Sequence, residues 1–556
     1  MRGVFTRFFV SLSLLGLAPM AVQGQTSDLS DAIRNRLEAG RSRGEWSAAG
    51  EKILAVRALP QVYADREFSE IWVADGRTTP GALQFLGYLR RAEEEGLRPE
   101  DYHLQVIDSL LSNRGGPPQD EMRRRIDLEL LLTDAYLIFG SHLLQGRVDP
   151  VTINAEWLAN RRNADLGRVL MDAAEGGAFV EALRALLPRH PGYSALKLTL
   201  ARMRASAAGG GWEPIPEGAT LREGETDPRI PTLRARLVMS GDHPPGSRSS
   251  AAGEDPLLFD PLLAEGVRRF QSRHGLEPDG AVGQATLVAL NVPAADRVRQ
   301  LEVNLERWRW LPEDLGSRHI LVNIAGFSVT VAEGDLPVLE MRAIVGRQYR
   351  QTPVFSSRMT YLVLSPYWHV PPTIAAVDKL PEIKKNPAYV AAQRMTLLDA
   401  STNQPVSVAS VDWGAMAGPE FNRRYRLRQD PGPSNALGDV KFMFPNPHNV
   451  YLHDTPSREL FARAERSFSS GCIRIEKPLD LAEYLLREDP SWTREGIRAA
   501  IERRVERTVT LRSPIPVHIQ YWTAWVDRDG VLNFRGDLYG RDTVVQGALE
   551  APPPGA

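Results

Sequence analysis

The sequence predicts a multidomain α+β protein, with a helical front, a small helical unit in the middle and a mainly β rear unit. Three observations carry this. The chain has 556 residues, too many for one core. Its first two hundred residues place apolar side chains at helical spacing. From residue 319 the pattern changes to short runs of branched and aromatic residues, punctuated by Gly, Pro, Asn and Asp.

The first residues read MRGVFTRFFVSLSLLGLAPMAVQGQTS. Arg2 and Arg7 make a basic start, Phe8 to Val22 is mostly apolar, and Val22-Gln23-Gly24 fits a cleavage after Gly24. This predicts a signal peptide over 1–24. A retained anchor is the alternative, but the run is short for a span and carries two serines and a proline. No cysteine follows it, which excludes a lipoprotein signal, and no later apolar run is long enough to cross a bilayer. Residues 25–225 read as a helical scaffold, as in GALQFLGYLRRAEEEG, where Leu83, Phe85, Leu86, Leu89 and Ala92 recur near helical spacing before Gly96.

Residues 226–292 form the second unit. A short helix precedes a polar insertion, HPPGSRSSAAGEDP at 243–256, and then Leu263, Val267 and Phe270 share a helical face. Asp279-Gly280 is a turn, and Thr286, Leu287 and Leu290 begin another helix. RVRQLEVNLERWRWLP, ending at 312, is a helical connector within 293–318. The rear unit, 319–545, contains HILVNIAGFSVTVAEGD, VLEMRAIVG, MTYLVLSPYWHV, DVKFMF and NVYLHD as strands, with a less regular insertion at about 371–425 and late strands after it. The tail 546–556 is expected to be disordered. There is no internal repeat.

Lys and Arg number 67 against 69 Asp and Glu, giving a net charge of −2. Nothing in that balance points to nucleic acid or to an anionic membrane surface. No His/Cys/Asp/Glu group has recognised metal-ligand spacing, no phosphate-cradling glycine loop appears, and no cofactor is implied.

The one cysteine, Cys472, lies in RSFSSGCIRIEK. It cannot pair within its own chain, so an exported thiol here is not trapped by a neighbour. A nucleophilic cysteine needs an imidazole or positive potential to lower its pKa. His453, in NVYLHDTP, stands 19 residues upstream. VYLHD reads as a strand, SRELFARAERS as a short helix capped by Thr455 with Pro456 at its first position, and IRI as a returning strand. That excursion can bring His453 beside Cys472. Ser469, Ser470 and Gly471 are small enough for a substrate backbone to approach, and amides at the Gly471 turn can form an oxyanion hole. Arg474 falls on the face of Cys472 and suits a carboxylate. On residue types alone, a buried structural cysteine and a Cys–His enzyme are equally supported.

Two resemblances separate these readings. Phe270-Gln271, Gly275-Leu276, Asp279-Gly280, Val282-Gly283, Thr286 and Leu290-Asn291 resemble a small three-helix peptidoglycan-binding domain. NALGDVKFMFPNPHNVYLHDTPSRELFARAERSFSSGCIRIEKPLDLA, 435–482, resembles the catalytic core of the L,D-transpeptidases (YkuD domain), in their long multidomain, YcbB-like form. MRAIVGRQYRQTPVF, LSPYWHVPPTIA and YWTAWVDRDGVLNFRGDLYGRD extend the likeness. Ser470 departs from the Ser-His-Gly-Cys of many members, so His453 is expected to be oriented by a backbone carbonyl or by Asp454.

The resemblance implies a periplasmic enzyme acting on peptidoglycan stem peptides and glycan, with cell-wall synthases and carboxypeptidases as possible partners and no membrane span after signal cleavage. It implies Cys472 as nucleophile, His453 as proton donor and acceptor, backbone at Gly471 and Ser470 as oxyanion site, and Arg474, Tyr451, Ser469 and Trp368 around the substrate. The insertion 371–425 becomes a capping unit, with Pro371-Pro372 as its hinge. The leading function is a 3→3 cross-linking transpeptidase. An L,D-carboxypeptidase, exchange or wall-protein attachment enzyme would use the same thioester, and a silent wall-binding scaffold is the non-enzymatic alternative.

Overall fold

The computed structural model describes residues 24–553, apart from 75, 114–116, 154–156, 159–161 and 244–254. The predicted signal peptide, except its last residue Gly24, and nearly all of the polar insertion at 243–256 lie outside the described residues.

Helix α1 (Pro118–Gln145) is the axis of the front unit. From Asp127 to Leu144 it is buried almost all round, so it carries apolar residues on every face. Trp72 packs on Phe85, Tyr136 and Phe179, with ring centroids 4.6–5.7 Å away. The buried Glu129 of α1 accepts the amides of Ile71, Trp72 and Val73. Burial pushes its carboxyl up to about 7.

Helix α2 (Pro191–Ala208), within the front span by sequence, packs elsewhere. Its Tyr193, Leu196 and Leu200 join Leu301, Leu305, Trp308 and Trp522 in a separate core. The second unit packs Leu263, Val267 and Phe270 of α3 (Pro261–Arg273) inward, the face predicted for them. Its core starts earlier than residue 226, because Ile215 and Leu221 are part of it. Gln271 explains why Phe270-Gln271 and Asp279-Gly280 occur together. Its side-chain amide donates to Asp279 and to the Ala281 carbonyl, and its oxygen accepts the Gly280 amide.

Helix α4 (Ala294–Arg309) is the predicted connector. The rear unit is built on β1 (Arg318–Asn323), β2 (Ser328–Glu333), β3 (Leu336–Ile344), β4 (Val354–Leu364), β5 (Trp368–His369), β6 (Met395–Asp399), β7 (Tyr425–Gln429), β8 (Val440–Met443), β9 (Leu452–His453), β10 (Ile473–Ile475) and β11 (Arg507–Gln520). The main sheet runs β8-β9-β10-β3-β2-β1-β11-β4, and β4 also pairs with β8, so the eight strands close on themselves. Trp157–Leu158 of the front unit adds to β4 in parallel.

MTYLVLSPYWHV is not one strand. Ser365 takes a positive φ of 48° before Pro366, and the chain leaves the main sheet there. Trp368–His369 instead pairs with β7 in a three-stranded sheet, order β5-β7-β6, inside the insertion. The insertion has its own core, from Trp368 to Leu437, wider on both sides than 371–425. The tail also differs from expectation. Helix α5 (Arg541–Glu550) continues through 546–550, because Val545 is fully buried against the main core.

Helix α4 ties the units together through buried polar groups. Glu306 accepts the Val148 amide at 2.8 Å and pairs with Arg309 at 3.1 Å, both side chains fully buried. Arg309 also donates to the Glu95 carbonyl and to the Tyr193 hydroxyl. Arg307 pairs with Asp542 of α5, and Asn304 exchanges hydrogen bonds with Thr523. Glu306→Ala leaves Arg309 as a buried cation without its carboxylate, and is expected to cost about 3–5 kcal/mol in urea unfolding. The double variant Glu306→Leu, Arg309→Met should recover most of that loss.

Candidate functional site

The site is set by alternation along three short neighbouring strands. Phe442, Leu452 and Ile473 are fully buried on the core side of the sheet. Lys441 is paired with His453 and His453 with Arg474, so these three form a row on the opposite face. One step along, Ile473 donates its amide to the Tyr451 carbonyl, and Tyr451 comes level with Cys472. All five side chains line one cleft of about 1440 Å³ between the closed sheet and the capping insertion. Trp368, Ser469, Ser470 and Gly471 line it too, so every residue singled out from sequence faces this space. The intervening segment is a short 3₁₀ turn, Arg458–Ala462, and its cap is Ser457; Thr455 lies two residues before that cap, accepting the Ser457 amide.

His453 is 4% exposed, and its Nδ1 lies 2.5 Å from the Asp454 carbonyl oxygen. A carbonyl only accepts, so Nδ1 carries the proton and Nε2 keeps its lone pair. Of the two orienting groups expected, the backbone carbonyl is the one used; the Asp454 carboxylate instead pairs with Arg458 and accepts the Asp439 amide. Burial, and next the Arg474 charge, push the imidazole down to about 3.

Cys472 does not match the expectation of a depressed pKa. Burial pushes the thiol up, and this outweighs the opposing effects of the Tyr451 amide and hydroxyl and of the Lys441 and Arg474 charges. The neutral imidazole adds no charge to help. The resting pair is therefore thiol and neutral imidazole.

The Gly471 turn also differs from expectation. Gly471 has φ +112°, a conformation open to glycine. Its amide is taken by Ser469 Oγ at 3.1 Å, while that hydroxyl donates to the Cys472 carbonyl. The Gly471 N–H is thus used inside the protein. Ser470 is exposed and its hydroxyl accepts from Arg350, which also pairs with Asp378 of the capping insertion. Arg474 has a buried Nε with no hydrogen-bond partner among the described residues.

Sequence reasoning missed Lys441 and Arg350. Lys441 Nζ sits 4.1 Å from the Tyr451 ring centroid, and alternation within DVKFMF already placed it opposite Val440 and Phe442. Arg350 had no local signal, since its partners lie 28 and 120 residues away. Together with Arg347, Lys379 and Arg474, these cations face the cleft, against one lining carboxylate, Asp378. No helix among the described residues is long and apolar enough to cross a membrane.

Residues 317–509 match the model of the L,D-transpeptidase catalytic domain, 232–290 that of a peptidoglycan binding domain and 57–200 that of a scaffold domain. The chain carries a transpeptidase catalytic domain behind a peptidoglycan-binding one. The catalytic-domain match takes in about a third of the chain, residues 317–509. A Haemophilus influenzae protein provisionally named an L,D-transpeptidase is 37% identical over 245 residues, 44% of this chain and 48% of that protein, so the match spans about half the relative's length. Among solved structures, an L,D-transpeptidase in complex with imipenem is 15% identical, covering 36% of this chain and 58% of that one at a TM-score of 0.17. An L,D-transpeptidase from Xylanimonas cellulosilytica is 15% identical, covering 55% and 100% at 0.16.

Three measurements follow from the electrostatics. Tyr451→Phe removes a group that favours the Cys472 thiolate, so the pH profile of iodoacetamide labelling should move to higher pH. The His453 ring should show no NMR titration between pH 8 and pH 5. Its folded value lies below the ordinary 6.5, so its contribution to stability is complete above about pH 6.5 and declines as pH falls towards about 3. His453→Gln should flatten that part of the acid unfolding curve.

Proposed function

We propose that this chain is a periplasmic L,D-transpeptidase that forms 3→3 peptidoglycan cross-links through a thioester on Cys472. The observation that carries the reading is the placement of Cys472 and His453 on one polar face of the sheet, lining one cationic cleft within the matched catalytic domain.

In this reading Cys472 Sγ attacks the carbonyl carbon at the L-centre of diaminopimelate in a donor tetrapeptide. The sulfur–carbon bond forms as His453 Nε2 takes the thiol proton. The tetrahedral intermediate collapses, the bond to the terminal D-Ala nitrogen breaks, and His453 returns the proton to that amine. The side-chain amine of a second stem's diaminopimelate then attacks the thioester. A carbon–nitrogen bond forms, the carbon–sulfur bond breaks, and the proton lost by the amine returns to sulfur. Because thiol and imidazole rest neutral, the thiol proton has to pass to His453 in the course of acylation.

The cations suit the substrate class. A stem peptide carries free carboxylates, and Arg474 and Lys441 flank the reacting pair without a carboxylate of their own among the described residues. Trp368 and Tyr451 supply apolar walls. The unit around Phe270 would hold the same polymer while the cleft works on its peptides.

Incubation with a carbapenem should give a covalent mass adduct at Cys472 that is absent in Cys472→Ala. No adduct on folded protein would favour a wall-binding scaffold. With tetrapeptide donor and acceptor, 3→3 dimers are expected; tripeptide monomers alone would make the enzyme a carboxypeptidase. His453→Ala should lower the acylation rate by about 10²–10⁴-fold with the fold retained.

A further inference from the structure

The turn that carries the nucleophile is held from behind by a second loop. Ser469 donates its amide to the Val345 carbonyl, and the Arg347 amide donates to the Ser469 carbonyl. Gly346 pairs with Ser469 at an isolated bridge, and any side chain at 346 would collide with the Arg350 carbonyl, 2.1 Å from a Cβ there. The loop between them closes on Thr352, which is fully buried. Its hydroxyl accepts the Gly346 amide at 2.9 Å and donates to the Gly471 carbonyl at 2.9 Å. Both of its hydrogen-bonding directions are thereby used.

That second bond has a geometric consequence. In a planar trans peptide the carbonyl of one residue and the N–H of the next point in opposite directions. The Gly471 carbonyl is fastened to Thr352 on the buried side, so the Cys472 N–H points away from it. Among the described residues no acceptor within the protein takes that N–H. The Gly471 N–H is engaged by Ser469. The Cys472 amide is then a donor free to meet an oxyanion formed next to its own sulfur.

Thr352 is itself fixed by residues beyond 509, where the catalytic-domain match ends. Tyr539 is 7% exposed; its hydroxyl donates to the Gly346 carbonyl at 2.6 Å and accepts the Thr352 amide at 3.2 Å. Arg541 donates to the Gln351 side chain and to the Thr352 carbonyl. Tyr539 is held by the Tyr521 hydroxyl, which accepts its amide at 2.9 Å.

We propose that Thr352 is a positioning residue for acyl transfer, aiming the Cys472 amide at the oxyanion through the Gly471 carbonyl, with Tyr539 from the C-terminal segment holding Thr352 in place. This rests on the thioester reading above.

The test separates acylation from simple thiol reactivity. Acylation by imipenem builds an oxyanion, whereas alkylation by iodoacetamide requires only the thiolate. Thr352→Val keeps the shape and removes the hydroxyl. The expected result is a fall in imipenem acylation of roughly 10–100-fold, with iodoacetamide alkylation unchanged. Thr352→Ser should restore acylation, and Tyr539→Phe should lower it in the same selective way. Unchanged acylation in Thr352→Val overturns the proposal. So does an equal fall in both rates, or failure of Thr352→Ser to rescue, because either result makes Thr352 a packing residue. If the wild-type protein forms no adduct at Cys472, the thioester reading fails instead, and that result is read before any variant is made.

Discussion

The site depends on a pairing register two residues long. β9 lies parallel to β10 with Leu452 level with Ile473 and His453 level with Arg474. Because side chains alternate across a strand, a slip of one residue would send His453 into the core and bring Leu452 out to the cleft. The fully buried Phe442, Leu452 and Ile473 forbid that slip: each would lose its place in the main core. Hydrophobic packing on one face thus specifies the chemistry on the other. Closure of the sheet through β4 adds to this, since β4 holds β8, the strand that brings Lys441 into the row.

A second layer of constraint lies in the buried charges of α4. Arg307 and Arg309 are among the largest fully buried side chains, and each has a carboxylate partner. Such pairs contribute little net stability compared with apolar packing, but an unpaired partner is costly. They therefore act as a check on assembly. The front unit supplies Glu95 and Val148, the C-terminal helix supplies Asp542, and Glu306, Arg307 and Arg309 of α4 find these partners only when both are docked.

Much of this was legible in the sequence. The change from helical spacing to short alternating runs marked the rear sheet, and VYLHD with SSGCIRI located the strand that bears His453 and the one that begins just after Cys472. Local patterns reported the buried face of α3 for the same reason: spacing along one element needs no knowledge of its neighbours. What failed was non-local. The break at Ser365 depends on its backbone conformation between two sheets, and the burial of Val545 that orders α5 depends on a distant core. The sign of the Cys472 shift is of the same kind. The His453 imidazole argued for a lowered value, while the surrounding burial, which no short motif displays, raises it. Arg350 was invisible because its partners come from the insertion and from the nucleophile's turn.

The raised thiol has a consequence for the durability of the protein. Oxidants such as peroxides and disulfides are attacked by thiolate, and a sulfur that holds its proton offers little of it. Cys472 also has no second cysteine in the chain with which to form a bridge. An unoccupied cleft therefore presents sulfur in its least oxidisable form. Reactivity becomes conditional on a carbonyl arriving where His453 can accept the proton, so the burial that slows the thiol at rest also preserves it against chemical ageing.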